Sequence, residues 1–221
     1  MKAAALLALL LAAAPSDGIN FTASSVNVAE PGTPVKISIS RWSTDDERAP
    51  IVAALSPRPA PPAGAARNPE AAPAGAAARG LGALAGRGRG RGRGGPPTPV
   101  SPIEAFTAAL SRAPTLGYIW TSDITGYAIK YAWHATLSDG TDRIILASDR
   151  RLGAYTNAWK TAAQAPETDY AFTLIELRTG PKGTLEGRTS LTSKIAIDND
   201  AKTVALESWG TGPSILQIAR R

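Results

Sequence analysis

The feature that most constrains the fold is a two-residue hydrophobic periodicity, which begins near Leu116 and continues to the end of the chain. Over residues 127–137, apolar residues alternate with smaller or polar ones, and this pattern predicts a long strand with one buried face. Turn sequences only a few residues long, such as residues 138–141 (SDGT), separate the successive strands. Because parallel neighbours need long crossovers, these short connections require antiparallel pairing.

The same periodicity predicts about eight strands. They cover residues 35–40, 116–121, 127–137, 143–148, 169–178, 184–197, 203–209 and 214–219, with residues 198–200 (DND) as a further turn. Two helices are predicted between the first two of these strands. We therefore expect an α+β fold: an antiparallel β-meander of about eight strands that forms a barrel or half-barrel, with two helices inserted after the first strand.

Both predicted helices begin with a capping box, in which a hydroxyl and a glutamate each satisfy a backbone N–H of the first turn. Thr44 and Glu47 form the first box, and Ser101 and Glu104 form the second. The first helix should extend to about residue 55, and Pro50 should kink or break it. The chain between the helices would then be the loop of a helical hairpin.

That loop, residues 56–102, has the composition of a disordered insert. Its 47 residues include ten Pro, ten Gly, twelve Ala and seven Arg, with Glu70 as the one acid and no aromatic residue. Such a sequence buries too little apolar surface to offset the entropy cost of ordering it. Residues 19–55 and 103–221 are expected to form a single α+β domain together, because the first piece is too small for a core of its own.

The insert also carries the whole formal charge of the chain, which is +6. Seven arginines less one glutamate give that value, and the remaining 17 basic and 17 acidic residues cancel. A run of arginines between glycines resembles the Arg-Gly repeats of RNA-binding tails, but the usual aromatic residues are missing, so nucleic acid is not the favoured partner. A weak contact with an anionic glycan or lipid surface and a passenger role both stay open. The arginines of this run are Arg87, Arg89, Arg91 and Arg93.

Residues 1–18 have the pattern of a secretory signal peptide. Lys2 precedes an apolar run of twelve residues, 3–14, which is too short for a membrane span. Cleavage could fall after Gly18 or after Ala14, and the first is preferred because Pro15 would be a poor residue just past the cut. Ile19 would then be the mature N-terminus, and the protein would be secreted or periplasmic, without a transmembrane segment. The sequence holds no cysteine, so an oxidising compartment would add no disulfide.

The sequence offers little for catalysis. It has one histidine, His134, and no cysteine, which excludes thiol chemistry and a His-only metal site; G-x-S-x-G and S-x-x-K motifs are also missing. We expect no metal and no cofactor. Carboxylates that could partner His134 in a hydrolase or isomerase are Asp139, Asp142 and Glu176, although a solvated strand histidine is the simpler explanation.

The feature best suited to binding is a stripe of aromatic residues. Tyr127, Tyr131 and Trp133 share one face of the predicted long strand, and Trp209 lies near the end of the sheet. At the mouth of a barrel these rings would hold a small apolar or planar ligand or a protein partner. The alternative is that they form core beneath the two helices. Basic side chains that could pair with an anionic group of the ligand are Arg178, Arg188 and Lys194.

Three stretches, at residues 41–45 (RWSTD), 169–176 (DYAFTLIE) and 190–195 (SLTSKI), resemble a set of secreted bacterial proteins of unknown activity. The resemblance covers most of the predicted domain but not the insert, and it implies export and a shared fold but no functional residue. Three hypotheses follow. We favour a non-enzymatic ligand- or partner-binding protein over a hydrolase or isomerase using His134, and over a protein held at an anionic surface by its Arg-Gly insert.

Overall fold

The structure, a computed structural model, describes residues 18–28, 31, 34–56, 100–121, 126–154, 159–161, 167–179, 185–209 and 216–220. The predicted signal peptide up to residue 17 lies outside the described residues. So do residues 57–99, which include Arg87, Arg89, Arg91 and Arg93. The expectations for these two segments therefore stay predictions.

The described residues form ten strands and two helices. In chain order these are β1 Ile19–Ser25, β2 Pro34–Ile39, α1 Asp45–Leu55, α2 Pro102–Arg112, β3 Gly117–Trp120, β4 Gly126–Thr136, β5 Asp142–Ser148, β6 Thr173–Thr179, β7 Leu185–Thr189, β8 Ile195–Asp198, β9 Thr203–Leu206 and β10 Leu216–Arg220. Eight strands close into a barrel in the order β1-β10-β7-β6-β5-β4-β3-β2, with every neighbouring pair antiparallel. Strands β8 and β9 form a separate hairpin.

The predicted antiparallel sheet with two helices is confirmed, but the helices are inserted after the second strand and not after the first. The strand that the sequence analysis missed is β1, which pairs with β2 on one side and with β10 on the other. Ile19, Phe21 and Ala23 alternate with polar residues in β1. This alternation is short and directly follows the predicted signal peptide, so it was not assigned as a strand. Without β1 the barrel would be open.

A second difference concerns residues 184–197, which were predicted as one strand. They contain two strands, β7 and β8, separated by a run rich in hydroxyl side chains. Thr189 Oγ1 accepts a hydrogen bond from Leu191 N at 3.2 Å, and Ser190 Oγ accepts one from Leu174 N at 2.9 Å. Side chains that bond the backbone in this way compete with the sheet ladder, and here the chain leaves the barrel.

Both capping boxes form as predicted. In α1, Thr44 Oγ1 accepts a hydrogen bond from Glu47 N, and the Glu47 carboxylate accepts one from Thr44 N at 2.9 Å. Arg41 Nη2 donates to Glu47 Oε1 at 2.7 Å. The hydrogen bond from Arg41, followed by that from the Thr44 backbone, lowers the pKa of Glu47 from 4.5 to about 2. Ser101 and Glu104 form the same box at α2.

The prediction that Pro50 breaks α1 is wrong, because the helix runs without interruption from Asp45 to Leu55. Pro50 deletes the one hydrogen bond that its missing N–H would donate to Asp46 in the first turn. The capping box holds that turn from the N-terminal side, and Ile51 is buried against the rest of the protein. These two contributions outweigh the lost bond.

Two apolar clusters lie on opposite faces of the barrel wall. The first fills the interior, and the second lies between the outer face of β4, β5 and β6 and the two helices, which pack against each other. Helix α2 contributes Phe106 and Leu110 to the second cluster, as the apolar face of its sequence predicts. The outer wall between the helices and the β8–β9 hairpin is therefore covered, while the part beyond β4 toward β3 is open.

Candidate functional site

The barrel interior is packed with apolar side chains from all eight barrel strands. An eight-stranded barrel is just wide enough for its side chains to fill it. Each strand contributes at least one of the buried residues Phe21, Ile37, Ile119, Ile129, Leu146, Leu177, Leu185 and Leu216, and the loop residues Leu152 and Trp159 join the same cluster. This packing favours the outer wall of the described part of the chain as the place for a ligand site.

A β-bulge interrupts the alternation of β4. Ile129 pairs with Ser148 of β5, and Tyr131 pairs with Ala147, which is directly adjacent to Ser148. A step of two residues along β4 therefore matches a step of only one residue along β5. Lys130 is the extra residue. Downstream of a bulge the side chains continue to alternate, but in the opposite phase to that expected from an uninterrupted strand. The bulge therefore changes which face each later residue of β4 occupies.

As a result, the three predicted ligand-binding rings of β4 lie on different faces. Tyr127 belongs to the interior cluster, and its hydroxyl accepts a hydrogen bond from Gly153 N at 3.3 Å. Tyr131 and Trp133 belong to the cluster beneath the helices. The Tyr131 hydroxyl is hydrogen bonded to Thr203 Oγ1, and burial raises the pKa of Tyr131. The expectation that the rings share one face is wrong.

An ion-pair network lies on the outer face of β5 and β6, beneath the β8–β9 hairpin. Glu176 is fully buried, and its Oε1 accepts hydrogen bonds from Arg143 Nε at 2.8 Å and from Arg178 Nη2 at 2.6 Å. Its Oε2 accepts one from Leu206 N of β9 at 3.1 Å. Arg143, which is 5 % exposed, also donates to Asp198 Oδ2 of β8 at 2.6 Å. These bonds join the barrel wall to the hairpin and pair each of the charges.

The predicted turn at residues 198–200 connects β8 to β9, as expected. Asp198 Oδ1 accepts a hydrogen bond from Ala201 N at 3.0 Å, and Lys202 adopts a positive φ of 48°. The hydrogen bond from the Ala201 backbone, followed by that from Arg143, lowers the pKa of Asp198. Its carboxylate thus serves the turn and the ion-pair network together.

Two of the predicted ligand-binding residues, Trp209 and Arg178, meet beside this network. The Cζ of Arg178 lies 4.5 Å from the centroid of the Trp209 ring, and the Cζ of Arg188 lies 5.5 Å from it. All three side chains are half-buried. The indole face attracts cations through its quadrupole, so it can hold both guanidinium groups at the edge of the barrel.

A groove opens on the outer wall where β3 and β4 meet the segment after β5. It has a volume of about 290 Å³ and is lined by Tyr118, Gly126, Ala128, Lys130, Asp149 and Arg150. Tyr118 is 44 % exposed, and its ring lies 5.5 Å from that of Trp120. A Cβ at Gly126 would come within 2.8 Å of the Trp120 ring, so glycine lets that ring lie flat on the strand. Lys130 Nζ donates to Ala113 O and to Thr115 Oγ1.

His134 lies elsewhere, at the exposed end of β4. Its Nε2 is 3.5 Å from Asp142 Oδ1, and its ring stacks on Trp42 with centroids 5.4 Å apart. Asp142 also accepts a hydrogen bond from Thr136 Oγ1 at 2.8 Å. His134 is 38 % exposed and does not line the groove. Of its three predicted carboxylate partners the structure brings Asp142 to it; within the described ranges neither Asp139 nor Glu176 forms an ion pair with it.

The sequence analysis missed the groove and the role of Arg143. Tyr118 lies in a four-residue strand, which carries too little alternation to show which side chain faces outward. Arg143 had a usable signal, because it and Glu176 are charged residues within otherwise apolar strand sequences. Buried charges in such positions are usually paired, so the two could have been matched across neighbouring strands.

Three comparisons with known proteins give no relative. No family model matches the chain, and neither a curated protein nor a solved structure is significantly similar to it. The resemblance to secreted bacterial proteins therefore stays a prediction. No described helix is long and apolar enough to cross a membrane. In the part of the chain that the structure describes, no three histidine or acidic side chains come together as a metal site would require.

Proposed function

We propose that this chain is an exported, non-enzymatic binding protein that recognises a ring-shaped polar ligand, such as a single sugar unit, in the groove beside Tyr118. One observation carries the proposal: the barrel interior is filled, while the outer wall has an open groove of about 290 Å³ next to an exposed aromatic ring. Aromatic side chains exposed beside a concave surface are typical of ligand contact.

The size and lining of the groove favour one ring. Pockets for small ligands usually start at about 300 Å³, so this groove is at the lower limit. Gly126 and Ala128 leave its floor flat, and Tyr118 forms an aromatic wall. Asp149 can accept hydrogen bonds from hydroxyl groups, while Lys130 and Arg150 can donate them. A sugar ring suits this lining because it combines an apolar C–H face with hydroxyl groups at its edge.

Export is the second part of the proposal. The apolar run at residues 3–14 is of signal-peptide length, and β1 begins at Ile19, directly after the predicted cleavage position. Ile19 pairs with Ile39 of β2, so the fold uses the chain from that residue onward. N-terminal sequencing of the protein recovered from medium or periplasm should give Ile19 as its first residue. Recovery in the cytosol with Met1 or Lys2 at its start would contradict export.

Ligand binding can be tested by ¹H–¹⁵N NMR titration of the mature protein with glucose, glucosamine and glucuronate. We expect at least one sugar to shift the amide signals of Tyr118 and Ala128, with a Kd on the order of 1 mM, because the ligand is small and the groove shallow. Tyr118→Ala should weaken binding about fivefold or more, whereas Tyr118→Phe should retain it, because the phenyl ring still stacks.

Val100→Ala is the matched control, since Val100 is the other large apolar residue exposed in the described part of the chain, at 61 %. It should leave binding unchanged. Thermal unfolding of each variant checks that the exposed substitutions do not disturb the fold. The proposal is wrong if none of the three sugars shifts the groove signals, or if the shifts persist in Tyr118→Ala.

The 3.5 Å contact between His134 and Asp142 favours a second candidate, a small hydrolase or isomerase. Against it, among the described residues no serine or threonine hydroxyl is hydrogen bonded to His134, and the side chain is exposed. A panel of ester, glycoside and phosphate chromogenic substrates tests this candidate. Turnover that disappears in His134→Ala, but persists in the exposed control Lys160→Ala, would favour the enzyme over the binding protein.

A further inference from the structure

Arg188 has a guanidinium group for which the described residues supply no anion. Its Nε is buried and has no hydrogen-bond partner, and it takes part in no ion pair within the described ranges. The side chain as a whole is half-buried beside Trp209. A donor on a charged group is costly to leave unsatisfied when it is shielded from water. The arrangement therefore suggests that a ligand atom completes it.

The carboxylates nearest to Arg188 are already used. Glu176 is the cross-strand neighbour of Arg188. Its Oε1 accepts hydrogen bonds from Arg143 and Arg178, and its Oε2 accepts one from the backbone of β9. Asp198 is bonded to Arg143 and to its own turn. Both carboxylates are thus bonded to Arg143, Arg178 or backbone N–H groups, and neither is bonded to Arg188 in the described part of the chain.

Other titratable side chains face the same region from neighbouring elements. Glu186 lies opposite Arg178 across the two strands, but it is exposed and forms no ion pair with Arg178 or Arg188 among the described residues. Asp139, in the β4–β5 turn, has its pKa lowered mainly by hydrogen bonds from Thr141, and Coulomb attraction to Arg178 adds a smaller contribution. Lys194 and Glu207 are exposed beside the hairpin. None of these groups supplies a bond to Arg188 Nε.

Arg178 binds Glu176 through one edge of its guanidinium group. Its Nε and Nη2 both bond Glu176 Oε1, at 2.9 and 2.6 Å, while Nη1 has no described hydrogen bond. Arg178 and Arg188 approach one neutral indole ring, which attracts both but cannot neutralise either. Two arginines beside one ring, with the Nε of Arg188 unbonded, match the planar, multi-oxygen shape of an oxyanion.

We infer that Arg178, Arg188 and Trp209 form a binding site for the oxyanion group of a small molecule, either a carboxylate or a phosphate. The site lies on β6 and β7 and after β9, whereas the sugar groove lies on β3 and β4. The inference therefore stands independently of the proposed function. Arg188 and Arg178 would donate charge-assisted hydrogen bonds to the oxygens, and Trp209 would hold the two guanidinium groups in position.

The test is isothermal calorimetry of the mature protein with sodium phosphate and, separately, sodium acetate, at constant ionic strength. We expect saturable binding of at least one of the two anions, and the stronger one identifies phosphate or carboxylate as the natural group. Arg188→Gln should weaken that binding about tenfold or more, as expected for the loss of a charge-assisted hydrogen bond. Arg112→Gln, which removes an exposed arginine from the last turn of α2, should leave it unchanged.

Trp209→Phe locates the site without removing an arginine. Anion binding should quench or enhance tryptophan fluorescence in the wild-type protein, and this change should be lost in Trp209→Phe while calorimetry still detects binding. Thermal melts of all variants show whether each remains folded; if Arg188→Gln unfolds, the Trp209→Phe comparison decides alone. Failure of both anions to bind, or binding unaffected by Arg188→Gln in a folded variant, would overturn the inference.

Discussion

The interior of the barrel and the outer wall beneath the β8–β9 hairpin are two faces of the same strands, yet they are built from different chemistry. The interior cluster consists of apolar side chains. The outer wall holds the two charged residues that are buried in the described part of the chain, Arg143 and Glu176. In the narrow interior a charge would find no partner, whereas on the outer wall β8 and β9 supply a carboxylate and a backbone N–H.

This difference shows how one sheet can serve two purposes. The interior excludes water and contributes the larger share of apolar burial, which is non-directional and tolerates many sequences. The outer wall depends on hydrogen bonds of defined geometry between separate elements, so it specifies where the hairpin docks. The outer wall also carries the groove and the buried Nε of Arg188, which has no hydrogen-bond partner.

The largest expected effect comes from deleting one residue of β4. Strand side chains alternate between the two faces of a sheet, so removing Ala132 would move every later residue of β4 to the opposite face. Trp133 would then point into the filled interior of the barrel. Removing the bulge residue Lys130 keeps Ile129 and Tyr131 on their present faces. We expect the Ala132 deletion to lose the cooperative urea transition, and the Lys130 deletion to keep it with a loss of about 1–2 kcal/mol. Equal damage from the two deletions would disprove the bulge assignment.

Glu176→Gln should have the next largest effect. It leaves Arg143 buried with less negative charge to pair with, and breaking one partner of a buried ion pair typically costs about 3–5 kcal/mol. Glu186→Gln is the matched control, because Glu186 is an exposed glutamate on the neighbouring strand and should cost less than about 0.5 kcal/mol. Urea unfolding of the two variants measures the difference. A difference smaller than about 1 kcal/mol between the two variants would mean that the outer wall tolerates an unpaired charge and does not depend on its ion pairs.

The two buried tyrosines of β4 allow a smaller test. Tyr131→Phe removes the hydroxyl that bonds Thr203, whose side chain is fully buried, and should cost about 1–2 kcal/mol. Burial raises the pKa of Tyr131 in the folded protein above its unfolded value of about 10. Above that pH the unfolded chain releases the Tyr131 proton more readily than the folded protein does, so the free energy of unfolding falls as pH rises. The free energy of unfolding of Tyr131→Phe should therefore fall less steeply with rising pH than that of wild type. Guanidinium unfolding curves recorded between pH 9 and pH 11 measure this difference.

Tyr127→Phe is the control from the interior side. Its hydroxyl accepts a single bond from a backbone N–H that is only partly buried, so the loss should be about 1 kcal/mol or less. A larger loss for Tyr127→Phe than for Tyr131→Phe would contradict the view that directional bonds matter more on the outer wall.

Much of the fold was predictable because its signals are local. Capping boxes at Thr44 and Ser101 and the turns at residues 138–141 and 198–200 depend on a few neighbouring residues, and all four are found. Antiparallel pairing followed from turn length alone. The strand alternation located most of the barrel strands but not β1, began β6 four residues too early, and extended β9 three residues too far.

The remaining features depend on contacts between distant parts of the chain. The bulge at Lys130 leaves no mark in the β4 sequence, since both phases of the strand contain apolar residues, and the partner strand decides which phase is buried. For the same reason the aromatic rings were assigned to one face. Arg178 and Trp209 were singled out from the sequence, but their meeting at 4.5 Å depends on the path of the chain after β9. The ion pair of Arg143 with Glu176 required the register of β5 against β6.

The smallest expected effect contrasts the buried ion pair with an exposed one. Arg41 and Glu47 are bonded at 2.7 Å, close to the 2.8 Å of Arg143 and Glu176, but the side chains of Arg41 and Glu47 are 43 % and 25 % exposed. The lowered pKa of Glu47, about 2, means that its contribution to stability is complete above pH 4.5 and is lost as pH falls from 4.5 toward 2. Solvent screening limits that contribution to about 0.5 kcal/mol.

Glu47→Gln cannot be protonated in this range, so its urea midpoint should decline less than that of wild type between pH 4.5 and pH 2. Glu104→Gln is the control at the other capping box, where the Ser101 backbone hydrogen bond lowers the pKa of Glu104 but no arginine takes part. It should flatten the decline in the same direction and by less. If Glu47→Gln cost as much at neutral pH as Glu176→Gln, burial would not determine the cost of losing one partner of an ion pair in this protein.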